Sequence, residues 1–68
     1  MYIHEAVKKA LEKDCYITTE ECKDAFKMKP TNTSLGVIAC NPVNDKPIIT
    51  KWQPTAYELT QDDYILVP

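Results

Sequence analysis

The amino-acid sequence predicts an α+β domain. An N-terminal helix packs on a small antiparallel sheet of four to five strands, with one short capped helix before the last strand. Three observations support this fold. Apolar residues recur at three- and four-residue spacing near the N-terminus. Short β-rich runs follow without the βαβ alternation of a parallel sheet. A helix-start motif then precedes a terminal apolar run. The 68 residues, 1–68, are expected to form a single domain.

The first helix is predicted from Ile3 to Lys13. Its apolar stripe spans about two to three turns, enough to cover one face of a small sheet. Charged residues occupy the rest of the helix surface. The stripe consists of Ile3, Ala6, Val7, Ala10 and Leu11.

Five β-rich runs are predicted to form strands: Cys15–Thr19, Ala25–Lys29, Leu35–Cys40, Ile48–Trp52 and Tyr64–Val67. Pro30 is expected to end the second strand, and the polar residues Thr31–Ser34 then form a turn. The third run is the most apolar, so we expect it to be central in the sheet. The residues Asn41–Pro47 form a second cluster of turn formers.

A short second helix is predicted from Ala56 to Thr60. Thr55 and Glu58 have the spacing of a capping box, in which each side chain binds a main-chain amide at the helix start. Asp62 and Asp63 are expected to end this helix and lead into the last strand.

A chain of this size buries only about 60% of its unfolded surface and is marginally stable alone. The three cysteines, Cys15, Cys22 and Cys40, are odd in number and lack the paired spacing that zinc favours. His4 is the only histidine, so we expect no metal site and no cofactor. The thiols are expected to be reduced and mostly buried. We therefore expect a homo-oligomer, either a dimer or a tetramer, as the additional source of stability.

The charge distribution disfavours nucleic acid and membranes as partners. The net charge is −2, with ten acidic residues against eight lysines and no arginine. The lysines are scattered instead of forming a basic face, and Glu20, Glu21 and Asp24 interrupt them. No apolar run approaches the ~20 residues that span a bilayer. The N-terminal segment does not resemble a signal peptide, so a cytoplasmic location is expected.

No set of residues indicates catalysis. His4 lies in the first turn of the predicted helix, away from an obvious thiol partner. Asp62 and Asp63 are adjacent carboxylates in a turn, where a solvated helix stop is the ordinary interpretation. Gly36 is the only glycine, so there is no glycine-rich phosphate loop. We therefore expect no enzymatic activity.

Three features are candidates for ligand binding, and each also has a structural interpretation. Trp52 is either a core anchor or a platform on which a base stacks. Thr55 caps the second helix, and the free amides beside it form a candidate anion site. The Thr31–Ser34 turn either bonds its own backbone or binds a ribose or base.

These residues resemble the Thoeris anti-defence two family, a group of small phage and prophage proteins, over most of the chain. The specific part of the resemblance is the C-terminal pattern, which begins with tryptophan and a Pro-Thr pair and continues to an acidic-aromatic pair. An N-terminal helix with Ala-Leu near its end and a Tyr-Ile strand accompany it. The matching residues are Ala10, Leu11, Tyr16, Ile17, Lys29–Ser34, Trp52, Pro54, Thr55, Glu58, Leu59, Asp62, Asp63 and Tyr64.

The resemblance implies a sponge, which here means a protein that binds a signal molecule and holds it unhydrolysed. The ligands would be cyclic nucleotide immune signals of the cyclic ADP-ribose type or cyclic oligonucleotides, in an infected bacterial host cell. Homotetramers with pockets between subunits are also implied. By chemistry and position in the motif, the predicted ligand-binding residues are Trp52, Thr55, Glu58, Asp63, Thr31 and Asn32.

Two departures from the family pattern concern the ligand. An Arg-x-x-Trp sequence in the family corresponds to positions near Thr18 and Glu21, so a cation and an aromatic ring are absent. Glu58 stands where the family has aspartate, and Tyr64 stands for a tryptophan. Two alternatives stay open: a protein-binding inhibitor of a CRISPR effector, and a structural prophage protein without a ligand.

Overall fold

A computed structural model describes all 68 residues and confirms the α+β fold. The elements are α1 (Ile3–Lys13), β1 (Tyr16–Thr18), β2 (Lys27–Pro30), β3 (Val37–Cys40), β4 (Pro47–Ile49), α2 (Ala56–Thr60) and β5 (Ile65–Val67). The five strands form one antiparallel sheet in the order β4-β3-β2-β1-β5. Both helices have the bounds predicted from the sequence. Neither is long and apolar enough to cross a membrane.

The helix α1 packs on one half of the sheet. Its contacts are mainly with β1, β2 and β5, which leaves the β3–β4 half of the same face without a helix above it. Ala6 and Ala10 are fully buried at this contact, and their small side chains let the helix lie close to the strands. Asp14 ends the helix in the left-handed conformation. The amide of Cys15 closes the last turn by donating a hydrogen bond to the carbonyl oxygen of Ala10.

The core below α1 is small. Ile17 and Met28 are paired across β1 and β2 and therefore point to the same face of the sheet, towards the helix. Tyr64, the residue directly before β5, completes the buried cluster. Only 11 of 68 residues are buried, so large parts of the apolar surface are only partly covered.

The strand β3 differs from the prediction at its start but not in its place. It begins at Val37, not Leu35, because Gly36 has φ 66° and turns the chain in a left-handed conformation. It lies between β4 and β2, so it is a central strand of the sheet, as predicted. The second strand was predicted to end at Lys29, one residue too early. Pro30 is the last residue of β2 and is paired with Val37.

The strand β4 is shorter than predicted and starts earlier. It spans Pro47–Ile49 at the edge of the sheet, and it does not continue to Trp52. The reason is Lys51, whose φ of 54° bends the chain away from an extended path. Ile48 and Ile49 are exposed on this edge strand.

Candidate ligand-binding site

An apolar cleft opens where the sheet extends beyond α1. Its volume is about 210 Å³. Ala39 is paired with Met28 across β2 and β3, so the cleft lies on the face of the sheet that α1 covers elsewhere. All lining residues are hydrophobic: Ala25, Phe26, Ala39, Ile48, Ile49 and Trp52.

Trp52 is held at the cleft by both backbone and side chain. Its amide donates a hydrogen bond of 2.9 Å to the carbonyl oxygen of Val37. Its side chain is half-buried, packs against the core cluster and also forms part of the cleft wall. The core-anchor interpretation is therefore correct for part of the indole, while the part in the cleft wall is available for contact with another molecule.

The turn that carries Thr31 and Asn32 lies close to Trp52 along the backbone. Lys51 donates its amide to the carbonyl of Leu35, so the segment before Trp52 is fixed to the end of this turn. The hydroxyl of Thr31 is bonded within the turn, to Gly36 and Thr33. Asn32 is exposed and its side chain has no hydrogen bond within the chain, so its amide is free to bind a ligand.

Thr55 and Glu58 bind each other, which confirms the predicted capping box. The Thr55 hydroxyl accepts from the amide of Glu58 at 3.2 Å, and the Glu58 carboxylate accepts from the amide of Thr55 at 2.8 Å. The amides of Thr55 and Glu58 are thus already paired, which leaves only those of Ala56 and Tyr57 at the helix start. Asp63 is half-buried between α2 and β5 and makes no ion pair within the chain.

The six predicted ligand-binding residues are therefore distributed over three places. Trp52 lines the cleft, and Thr31 and Asn32 lie in the adjoining turn. The other three lie in or next to α2: Thr55, Glu58 and Asp63. The sequence did not indicate the other five cleft residues as a set. The apolar pair Ile48 and Ile49 was the available signal, because two consecutive large apolar residues on an edge strand cannot both face a core.

The opposite face of the sheet has a buried cation that sequence alternation did not predict. Lys27 is only 6% exposed. Its ammonium forms an ion pair with Asp45, donates to the carbonyl of Pro68 at 3.0 Å and lies 4.0 Å from the centre of the Tyr16 ring. Beside it, Lys29 donates to Asp14 at 2.6 Å, which lowers the pKa of that carboxyl group.

A second cleft of about 200 Å³ lies next to Lys27. It is lined by Thr18, Lys23, Lys27, Pro42, Val67 and Pro68. Two lysines in one cleft suggest an anion site, but both ammonium groups are already engaged. Lys27 is paired with Asp45, and Lys23 with Glu20 at 3.0 Å, which raises the pKa of the Lys23 ammonium. The apolar cleft is therefore the better candidate site.

The cysteines are more accessible than predicted. Only Cys40 is buried, and burial raises the pKa of its thiol. Cys15 and Cys22 are half-buried in the connections that flank β1, and Cys15 packs against the core cluster. His4 is exposed on α1. No three His, Cys, Asp or Glu side chains are grouped in a way that could hold a metal ion.

The fold and the cleft together define a small α+β protein with an aromatic-walled apolar site. Comparison of the chain with protein-family models, curated proteins and solved structures found no match.

Proposed function

We propose that this protein is a non-enzymatic binding protein that sequesters a cyclic nucleotide immune signal and so acts as a phage anti-defence sponge. The ligand class rests on the resemblance of the segment from Trp52 to Tyr64. The position of the site rests on the apolar cleft. Binding alone would act by mass action, since a tight and abundant binder lowers the free concentration of the signal.

The observation that carries this proposal is the place of Trp52, half-buried in the wall of an open cleft. An indole supported from behind by the core offers a rigid surface for a nucleobase, and such stacking contributes ~1–3 kcal/mol per base. Phe26 adds a second aromatic side chain to the same wall. Ligand pockets usually measure roughly 300–1,000 Å³. The apolar cleft, at about 210 Å³, is smaller than this range. It therefore suits one base, with the rest of the ligand on the adjoining surface.

Two polar side chains on the segments next to Trp52 are candidates for contact with the rest of the ligand. The exposed amide of Asn32 is suited to hydrogen bonding with a ribose or a base edge. The ammonium of Lys51, next to Trp52, is exposed and unpaired, and lysine binds phosphate as a point charge. Thr55 and Glu58 keep their role in the cap. Asp63 and Thr31 remain predicted ligand residues.

The single tryptophan makes this proposal directly testable. Cyclic ADP-ribose isomers and cyclic di- and trinucleotides would be titrated against the protein while the fluorescence of Trp52 and the melting temperature are recorded. Stacking should change the fluorescence, and the same ligand should raise the melting temperature by several degrees. Recovery of the intact ligand after denaturation would distinguish a sponge from an enzyme.

A variant series separates the ligand contact from the structural role of Trp52. Trp52→Phe keeps an aromatic ring in the core contact and should weaken binding only partly. Trp52→Leu keeps apolar volume but removes stacking, and it should abolish the ligand-induced shift while the protein stays folded. Tyr57→Phe is the control, because Tyr57 is exposed on α2 and bonded to Glu21, outside the cleft. Equal binding by Trp52→Leu and the wild type would refute the site.

A second candidate function is inhibition of a CRISPR effector by protein–protein contact. The observation that favours it is the exposed edge strand β4, where Ile48 and Ile49 stand beside the cleft. Exposed apolar residues on an unpaired edge are suited to docking against another protein. This function predicts no response to any nucleotide and co-elution with a purified effector that high salt weakens.

A further inference from the structure

The buried cation Lys27 lines a cleft that the proposed function does not use. This cleft measures about 200 Å³ and lies on the face of the sheet opposite to the apolar cleft. The side chain of Lys27 is 8% exposed, whereas that of its ion-pair partner Asp45 is 55% exposed. A buried ammonium needs a counter-charge, and here the counter-charge comes from a group that is largely in water.

The ammonium of Lys27 has one exchangeable partner. It carries three N–H groups. One donates to the main-chain oxygen of Pro68 at 3.0 Å, and the Tyr16 ring covers another side, with its centre 4.0 Å away. The Asp45 carboxylate is the remaining partner. The place that Asp45 occupies is therefore a place for a carboxylate oxygen, and the structure shows it filled by a side chain that can leave for solvent.

The turn that carries Asp45 does not need the ion pair to keep its shape. The side chain of Asn41 accepts hydrogen bonds from the amides of Val43 and Asn44, at 2.8 and 3.2 Å. The carbonyl of Asn41 accepts from the amide of Asp45 at 3.0 Å. Because these bonds fix the main chain, the Asp45 carboxylate can release Lys27 without unfolding the turn.

The rest of the cleft combines a second cation with an apolar wall. Lys23 also lines it, and its only ion-pair partner is Glu20, in an exposed i,i+3 contact. Surface pairs of this kind contribute little to stability, so the Lys23 ammonium is free to turn towards a ligand. The apolar wall consists of Pro42, Val67 and Pro68.

We infer that this cleft is a binding site for a small organic carboxylate, which replaces Asp45 at Lys27. One oxygen of the ligand would accept from Lys27 and the other from Lys23. The short apolar part of the ligand would lie against Pro42 and Val67. The site is separate from the apolar cleft and does not depend on the proposed function.

The lining favours a carboxylate over a phosphate. The ion pair with Asp45 shows which kind of anion the buried ammonium accepts. A phosphate group carries more oxygens and is usually held by several donors, often from arginine, which this chain lacks. Ordinary ligand pockets measure roughly 300–1,000 Å³, so a cleft of about 200 Å³ suits only a small molecule.

Chemical rescue tests the site, with sodium propionate as the probe. Asp45→Asn removes the competing carboxylate and keeps a residue type that accepts the φ of 63° at this position. It should lower the melting temperature, and propionate should raise it again by several degrees. Propionate should bind this variant about tenfold or more tightly than the wild type, because the tethered carboxylate of the wild type competes at high effective concentration.

Asp14→Asn is the matched control. Asp14 is likewise an exposed acid with a positive φ and is paired with a lysine, but that lysine, Lys29, lines neither cleft. Propionate should not raise the melting temperature of this variant. The double variant Lys27→Met/Asp45→Asn has no buried charge to neutralise and should not respond either. Propionamide, and sodium chloride at equal ionic strength, control for the apolar part of the probe and for screening.

NMR spectroscopy of the wild type gives a second measurement that does not depend on the stability of a variant. Propionate should shift the amide signals of Thr18, Lys27 and Val67 and leave that of Trp52 in place. Three results would overturn the inference: equal rescue of Asp45→Asn and Asp14→Asn, equal rescue by chloride or inorganic phosphate, or no shift of these signals in the wild type. A protein whose Trp52 fluorescence responds to a cyclic nucleotide but whose Lys27 cleft ignores propionate would overturn this site alone.

Discussion

The hydroxyl group of Tyr64 donates a hydrogen bond of 2.5 Å to the main-chain carbonyl of Glu58. Tyr64 is only 1% exposed and belongs to the core cluster below α1. This contact therefore attaches the short helix α2, none of whose residues is buried, to the centre of the molecule. Burial raises the pKa of Tyr64 to about 12.

Tyr64→Phe should lower the free energy of unfolding by about 1 kcal/mol at neutral pH, the usual contribution of one internal hydrogen bond. The ring would still fill the core, so the fold should persist. Urea unfolding measures the difference. Tyr2→Phe, at an exposed ring, is the control and should change little. An equal effect of both changes would show that the Tyr64 hydroxyl has no special role.

The wild-type protein should also lose stability at alkaline pH. The pKa of Tyr64 is higher in the folded state, so above pH 10 the unfolded chain releases the phenolic proton before the folded one does. The stabilising contribution is therefore complete below pH 10 and is lost as the pH rises towards 12. In Tyr64→Phe this part of the loss should be absent, which melting curves at several alkaline pH values would reveal.

Thr55→Ala should destabilise the protein by about 0.5–2 kcal/mol, because it removes the side chain that caps α2. Thr60→Ala is the matched control at the other end of the same helix. The Thr60 hydroxyl only bonds back to carbonyls one turn earlier, so its loss should be nearly neutral. If the cap did not stabilise the protein, Thr55→Ala and Thr60→Ala would have the same unfolding midpoint.

Asp45→Asn should be more harmful than Lys27→Met, although Asp45 is the exposed partner. Removal of the carboxylate leaves a buried ammonium without its counter-charge, at a cost of about 1–3 kcal/mol. Lys27→Met removes the charge and keeps most of the packed stem, so the cost should stay below about 1.5 kcal/mol. The double variant should be no less stable than Lys27→Met. A double-mutant cycle by urea unfolding gives the coupling energy.

Met28→Ala should cost about 2–5 kcal/mol, because Met28 is 1% exposed in the middle strand and its loss leaves a cavity below α1. In so small a domain this change is expected to populate the unfolded state at room temperature. Leu11→Ala, at a side chain 42% exposed on α1, should cost much less. Circular dichroism and thermal unfolding would compare the two.

The parts of the fold that follow from neighbours in sequence were predicted best. Both helices were predicted with their observed bounds, since the stripe of α1 and the Thr55–Glu58 capping box are local signals. The strand ends were less accurate. The left-handed conformation of Gly36 sets where β3 begins, and that of Lys51 prevents β4 from continuing. For a lysine no local rule indicates such a conformation.

The candidate site could be predicted only in part. Trp52 was singled out for its residue type and motif, and it does line the cleft. Ala25, Ala39 and Ile49 come from three segments that meet only through the register of β2, β3 and β4. Burial of Lys27 likewise depends on Asp45 and Tyr16, which are distant in sequence. Register of this kind is a tertiary property, so alternation along one strand did not indicate it.

The order of the strands also determines when this protein can become folded. The strand β5 pairs with β1, although nearly all the other elements lie between them in the sequence. Tyr64, the largest fully buried side chain, lies directly before β5. Until the segment from Tyr64 to β5 has been synthesised, β1 has an open edge and the core lacks its central ring, so little can be gained from partial structure. The other elements must therefore be synthesised before any of them folds stably, and a ribosome that stalls before Tyr64 would hold an unfolded polypeptide.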